Sequence, residues 1–280
     1  MRIRFRKYHA LGNDFLVVDR SDEALSRRKL SRLAVDICNR RTGVGADGLL
    51  YCSPSKKCDG LIDIYNADGG WAEKSGNGLR IAAVDRAMRF RRKKEFCFQT
   101  GSGMNRVYLG RRIQRGYQAR TDLGEPCFEA DKVPVRTRKR VLINSPLKFG
   151  GVNIPVTCLS VGNPHTVLLV DDFEFDWQAL GIEIEWARQF PNGTNVEFVR
   201  LVNRHKIKVA EWERGAGATG SSGTGAAAAV CAMVMMGLVD RKCDVQFETG
   251  TLSVEWDSKS NLVYLSGPAV HVMEGSFEFK

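Results

Sequence analysis

No stretch of this chain is apolar for long enough to cross a bilayer: the longest, Gly225–Val239, is short, rich in alanine and reads as a buried helix. The opening residues, MRIRFRKYHALGND, are basic and lack the apolar segment of a signal peptide, so a cytoplasmic location is expected. None of the eight cysteines stands in a CxxC pair and no cluster has zinc-ligand spacing. Neither a zinc module nor another metal site is expected. Without an export signal the cysteines should be reduced, several of them buried as small apolar residues. The net charge of +10 comes with no RNA-binding motif, zinc finger or helix-turn-helix signature. The basic residues gather in RAMRFRRKK (86–94), GRRIQR (110–115) and RTRKR (136–140), which read as solvated surface. No nucleic-acid partner is expected, although a basic surface also draws acidic small molecules.

What is present is core-forming material and a repeat. Of 280 residues, 43% are hydrophobic and 26% charged, enough for one large domain or two ordinary ones. The segment KSGNGLRIAAV (74–84) matches SSGTGAAAAV (221–230), with the serines 147 residues apart (75 to 222). In the same order GNDF (12–15) matches GNPH (162–165), IYNADG (64–69) matches EWERG (211–215), and FQTGSG (98–103) matches FETGTL (247–252). Ordered matches at a nearly constant offset indicate two related halves, and halves of this kind commonly take a ligand in the cleft between them. Strands are expected over IRFRKYHA, DGLLYC, GLIDIYNA, EFCFQTG and NRVYLG, then over TVLLVDD, TNVEFVRLV, IKVAEWE, DVQFETG and LSVEW. Helices are expected over 78–90 and 225–239, where alanine and methionine favour that state. The final segment, LVYLSGPAVHVMEG, has no counterpart in the first half and should return to the N-terminal half to close its sheet. The fold class is α+β, with two pseudo-symmetric halves, each a mixed or antiparallel sheet around a central helix.

Both S-G-x-G motifs stand where a loop runs into a helix. Serine is a preferred N-cap, and glycine lets the backbone approach a ligand closely. A helix N-terminus presents free N–H groups and the positive dipole end, so two such turns suit one carboxylate. Each serine alone reads as a plain cap; their repetition at equivalent positions points to a site. The hydrolase motif G-x-S-x-G fails at Ser75, where Glu73 holds the first glycine place. Ahead of Ser222 that place is held by Gly220, but no triad order accompanies it. Asn13, Asn66, Asn163 with His165, Asn195, and Glu213 with Arg214 interrupt strand-like runs. Singly they suit turns, a structural histidine and an ion pair. Together they form amide, carboxylate and guanidinium groups matched to a zwitterionic amino acid.

From HALGNDFLVVD through RRTGVGADGLL, YNADGG, SGNGLRIAA, GNPHTVLLVDD, FPNGTNVEFV and WERGAGATGSSGTGAAAA to GPAVHVMEG, the chain resembles the diaminopimelate epimerase family over nearly its whole length. The resemblance implies interconversion of LL- and meso-diaminopimelate in lysine biosynthesis without pyridoxal phosphate, any other cofactor or a metal. It also implies an amino-acid substrate and a homodimer, and two epimerase-like domains, residues 1–123 with 264–280 and residues 124–263. In the family a thiolate removes the α-proton and a thiol delivers one to the opposite face. The matching acid/base positions here are Ser75 and Ser222. Gly76, Asn77, Gly223 and Thr224 would bind the reacting carboxylate, while Asn13, Asn66, Asn163, Asn195 and Arg214 would hold the distal end. His165 and Glu213 match residues that assist the bases. Besides the two serines, the family's glutamine in G-x-D-Q is Gly48 and the glutamate of G-E-T is Ala218. Replacing a thiol of pKa about 8.5 by a hydroxyl, an acid about as weak as water, costs on the order of 10 kcal/mol for forming the free base. An assisting base at His165 or Glu213 offsets part of that cost. The alternatives are an isomerase of another substrate on the same scaffold, and a catalytically weak diaminopimelate-binding homologue.

Overall fold

The computed structural model describes residues 1–20, 24–90 and 93–280. The chain divides into two compact units, Met1–Asp122 with Ser266–Lys280, and Leu123–Leu265. The first unit runs β1 (Arg2–Ala10), β2 (Asn13–Asp19), α1 (Arg27–Cys38), β3 (Gly48–Ser53), β4 (Gly60–Asn66), β5 (Trp71–Ala72), α2 (Gly76–Phe90), β6 (Glu95–Thr100), β7 (Gly103–Ile113) and β8 (Gly116–Asp122). The second runs β9 (Ser145–Phe149), β10 (Val152–Ser160), β11 (Pro164–Leu169), α3 (Trp177–Glu185), β12 (Asn195–Asn203), β13 (Lys206–Glu213), β14 (Gly217–Ala218), α4 (Gly223–Met235), β15 (Lys242–Phe247) and β16 (Gly250–Trp256). A last strand, β17 (Val263–Glu278), leaves the second unit and pairs antiparallel with β1, Arg2 opposite Glu278.

Each unit is built on two β-α-β crossovers joined by an antiparallel pair. In the first, β2 runs parallel to β3 through α1, β3 turns back onto β4, and β4 runs parallel to β6 through α2. In the second, β11 runs parallel to β12 through α3, β12 turns onto β13, and β13 runs parallel to β15 through α4. Parallel pairing needs a crossover of this length, and it buries both faces of the strands it joins. Hence Leu16, Val18, Leu49 and Tyr51 pack on α1 residues Leu30, Leu33 and Ile37, while Val17, Leu50 and Cys52 pack on α2 residues Leu79, Ile81 and Ala82. α4 carries no charged residue and is buried from Ala226 to Met233, so it is the central helix of its unit. On the sheet's other face α3 packs with Phe173 and Trp212.

Two expectations change. Cys58 and Cys97 form a disulfide, their Cα atoms 5.0 Å apart, rather than staying reduced. The cause is tertiary: the start of β4 lies beside β6, where Asp59 N donates to the Cys97 carbonyl at 2.8 Å, and no sequence spacing announces it. Each unit also has a second helix, α1 or α3, that the repeat did not reveal. Of the basic clusters, 110–115 and 136–140 are exposed for the most part; Arg91 and Arg92 of the 86–94 cluster lie outside the described residues. Among the described residues no helix is long and apolar enough to cross a membrane.

Candidate active site

The two serine turns have the same cap geometry. Ser75 Oγ accepts from Gly78 N at 3.0 Å and starts α2; Ser222 Oγ accepts from Gly225 N at 3.2 Å and starts α4. The cap satisfies one of the free N–H groups of the first turn and leaves the neighbouring ones at Gly76, Asn77, Gly223 and Thr224 facing out of the helix end.

In the first unit Asn77 Nδ2 donates to Asn13 Oδ1 at 2.9 Å, and Asn13 Nδ2 donates to Asp47 Oδ2 at 2.9 Å. Behind them Arg80 Nη2 donates to Asn77 Oδ1 at 2.5 Å. Arg80 has no exposed surface, its Nε and Nη1 have no partner, and burial pulls its pKa down to about 10. Lys74, ahead of Ser75, is likewise lowered by burial, with Asp122 partly restoring it. The Ser75 turn is therefore backed by desolvated cations. Asn66 lies apart from this network: it is exposed, and its backbone closes the β4–β5 turn against Gly70 at 2.8 Å. Gly48 is dictated by packing, since a Cβ there would lie 2.6 Å from the Phe15 ring and 2.7 Å from the Tyr65 carbonyl. No glutamine fits that position.

The second unit gathers the remaining candidates around Ser222. His165 is fully buried, with Nδ1 2.6 Å from Glu197 Oε1 and Nε2 2.9 Å from Asn163 Oδ1. Asn163 Nδ2 reaches Thr224 Oγ1 at 3.4 Å, tying the histidine to the first turn of α4. Asn195 donates to the Pro164 carbonyl at 2.7 Å and accepts from Arg214 N at 3.0 Å. The Arg214 guanidinium is exposed and donates to the Asn192 carbonyl at 3.1 Å. The Glu213 carboxyl lies near Ser222 and accepts from Thr219 Oγ1 at 2.5 Å. Burial raises the Glu213 pKa, and Thr219, His165 and Ser222 hold it down in part.

Sequence reasoning missed Glu197, Glu211 and Thr219. Glu197 and Glu211 are cross-strand partners on β12 and β13, facing α4. They lie so close to its first turn that a Cβ on Gly225 would sit 2.6 Å from Glu211 Oε2 and 3.1 Å from Glu197 Oε1. Both are driven upward in pKa, first by burial; neighbouring carboxylates add to this at Glu211, whereas His165 opposes it at Glu197. A signal existed: Ile207, Val209, Glu211 and Glu213 share one face of β13 by period-two alternation, so Glu211 falls where an apolar side chain belongs. The Ser222 turn is thus backed by carboxyls, the reverse of the Ser75 turn.

The family model for diaminopimelate epimerase matches residues 5–124 and 157–272. A diaminopimelate epimerase from Caldanaerobacter subterraneus subsp. tengcongensis is 38% identical over 278 residues, spanning 99% of this chain and 100% of the relative. The chloroplastic diaminopimelate epimerase of Oryza sativa subsp. japonica is 36% identical over 289 residues, spanning 98% and 80%. Among solved structures, a hydroxyproline epimerase from Agrobacterium vitis superposes with a TM-score of 0.72 at 11% identity, covering 98% and 92% of the two chains. A PhzF-family phenazine biosynthesis protein of Bacillus anthracis gives 0.70 at 15% identity over 100% of both chains. By fold the chain falls in the class of α+β proteins with two units of alike topology that these solved structures share. Within that class it belongs to the diaminopimelate epimerase family.

Proposed function

We propose that the chain interconverts LL- and meso-diaminopimelate by proton transfer at the α-carbon, with Ser75 and Ser222 as its proton-transferring pair. Its two units then serve as the two epimerase-like domains expected above. Epimerisation needs one group to remove the α-proton and another to deliver a proton to the opposite face; each unit supplies one serine-capped helix start. The carrying observation is the Ser222 turn: a hydroxyl capped by Gly225 N, with the buried Glu213 carboxyl close by and His165 tied through Asn163 to the same helix start. A bare hydroxyl is too weak an acid to form its own base, so Glu213 takes the serine proton as the serine takes the substrate's. Gly76, Asn77, Gly223 and Thr224 bind the reacting α-carboxylate, whose charge favours the positive helix ends. Asn13, Asn66, Asn163, Asn195 and Arg214 hold the distal amino-acid end.

The test is NMR of LL-diaminopimelate incubated with the protein in D₂O, beside the Ser75→Cys/Ser222→Cys variant. The wild type should exchange the α-proton and form the meso isomer, and the double cysteine variant should do so faster. Exchange by the cysteine variant alone would replace this reading with a diaminopimelate-binding homologue. The weak acidity of the serine hydroxyl, beside a thiol, is what favours that second reading. Exchange by neither would remove diaminopimelate as the substrate.

A further inference from the structure

A third carboxyl stands behind the Ser222 turn. Thr219 Oγ1 lies 2.5 Å from Glu213 Oε1 and 3.0 Å from Glu211 Oε1, yet a hydroxyl has one proton to give. Two ionised carboxylates on one hydroxyl would leave a lone pair facing a lone pair in a buried place, which is costly. One carboxyl must therefore supply a proton of its own. Glu213 holds the shorter of the two Thr219 contacts, and His165 and Ser222 nearby also favour its ionised form. Glu211 receives no such help: it is 1% exposed, its Oε2 has no partner, and Glu197 stands opposite it across the strands.

We infer that Glu211 is held as a neutral carboxylic acid that donates to Thr219, and that the chain Glu211–Thr219–Glu213–Ser222 is a proton relay setting the protonation of the Ser222 turn. This rests on the epimerase reading and deepens it. With the proton on Glu211, Glu213 is a carboxylate and Ser222 is ready to act as a base. Shifting the chain breaks the Glu211 O–H bond and forms one on Thr219. The Thr219 proton passes to Glu213, leaving Glu211 as the carboxylate. Ser222 then has a proton donor behind it and is ready to act as an acid. No charge is created, only moved, and both directions of an epimerase need both forms. Glu211 touches no substrate and acts through Thr219 and Glu213, a positioning role. Glu211, Thr219 and Gly220 also line a cavity of about 490 Å³, which brings the far end of the relay to a space that Lys208 and Glu248 share. The groups facing the relay are His165 from β11, Glu197 from β12 and Glu213 from β13; α4 contributes no charge.

Infrared spectroscopy tests this without substrate. At neutral pH the wild type should show the C=O stretch of a protonated carboxyl, and Glu211→Gln should lose it with the circular dichroism unchanged. Thr219→Val should shift the band by removing its acceptor, and Thr219→Ser should restore it, so the assignment survives even if the glutamine variant fails to fold. Absence of the band in the wild type, its persistence in Glu211→Gln, or no shift in Thr219→Val overturns the inference. In the D₂O assay Glu211→Gln should lower α-proton exchange about 10²-fold and move its pH profile. An unchanged rate and profile overturns the relay while leaving the epimerase reading standing. If the band behaves as expected and the wild type exchanges no diaminopimelate proton, the epimerase reading falls and the proton stored on Glu211 stands.

Discussion

Arg80 is the residue whose position is hardest to justify by stability. A guanidinium with no exposed surface, one hydrogen bond and two unpartnered nitrogens loses its hydration without a carboxylate in return. Its pKa falls from the ordinary guanidinium value to about 10, which corresponds to a folding cost on the order of 3 kcal/mol. A base lowered in the folded state carries that cost in full below about pH 10 and sheds it as pH rises toward its unfolded value. What Arg80 gives in exchange is orientation, because its bond to Asn77 Oδ1 turns the Asn77 amide so that Nδ2 meets Asn13. Arg80→Met should therefore raise the unfolding free energy measured by urea titration at neutral pH, by on the order of 1–3 kcal/mol, while weakening diaminopimelate turnover. A variant that is less stable than the wild type would mean that the buried cation has a partner role of its own.

At the scale of elements, α2 and α4 begin the same way, and the question is whether each serine serves as a cap, as a reacting group, or as both. Alanine at an N-cap costs about 1 kcal/mol, whereas glycine costs only a few tenths. Ser222→Ala and Ser222→Gly both remove the hydroxyl, so they should abolish exchange equally while differing in melting temperature, with glycine closer to the wild type. The same pair at Ser75 should repeat the pattern. A glycine variant that retains exchange would show the hydroxyl to be a cap alone. These helix starts were legible in the sequence because serine followed by spaced glycines is a local signal. Strands such as β4, β13 and β15 were legible from alternation. α1 was not read, although Leu30, Leu33, Ala34 and Ile37 follow helical spacing, because none of the matches between the two halves falls on it. α3 was hidden by Gly181, required where a Cβ would sit 2.7 Å from the Trp212 Cβ, and by the β-branched Ile182 and Ile184. Most of the candidate site was reached through the repeat and the family resemblance. Glu197 and Glu211 were not, since a glutamate in a strand reads as solvent-facing until both faces of that strand are known to be covered.

Across the whole molecule the two units carry opposite responses to acid. In the first, burial tends to raise Asp14 and Asp59, but Arg40 and Lys7 around Asp14, and Lys93 with the Cys97 N–H around Asp59, hold both below the usual carboxylate range. Carboxylates lowered by folding contribute stability that is present above about pH 4 and is lost as pH falls through their folded values. In the second unit Glu197, Glu211 and Glu213 are raised, chiefly by burial. Their folded state binds protons more tightly than the unfolded chain, so stability is greatest in mild acid and declines as pH climbs through the raised values. Asp257 runs against this in the same unit, but it is partly exposed in the turn after β16 and its contribution is screened. Hydrogen exchange resolved by segment and corrected for the intrinsic pH dependence should separate the two. Between about pH 7 and about pH 5, protection in β12, β13 and α4 should rise while β2 and β6 stay level; below about pH 4, β2 and β6 should lose protection first. Glu211→Gln should flatten the rise in the second unit and leave the first unchanged. If β12 and β13 instead lose protection alongside β2 as the solution is acidified, the carboxyls behind Ser222 are ionised at neutral pH and the turn they back is not a proton store.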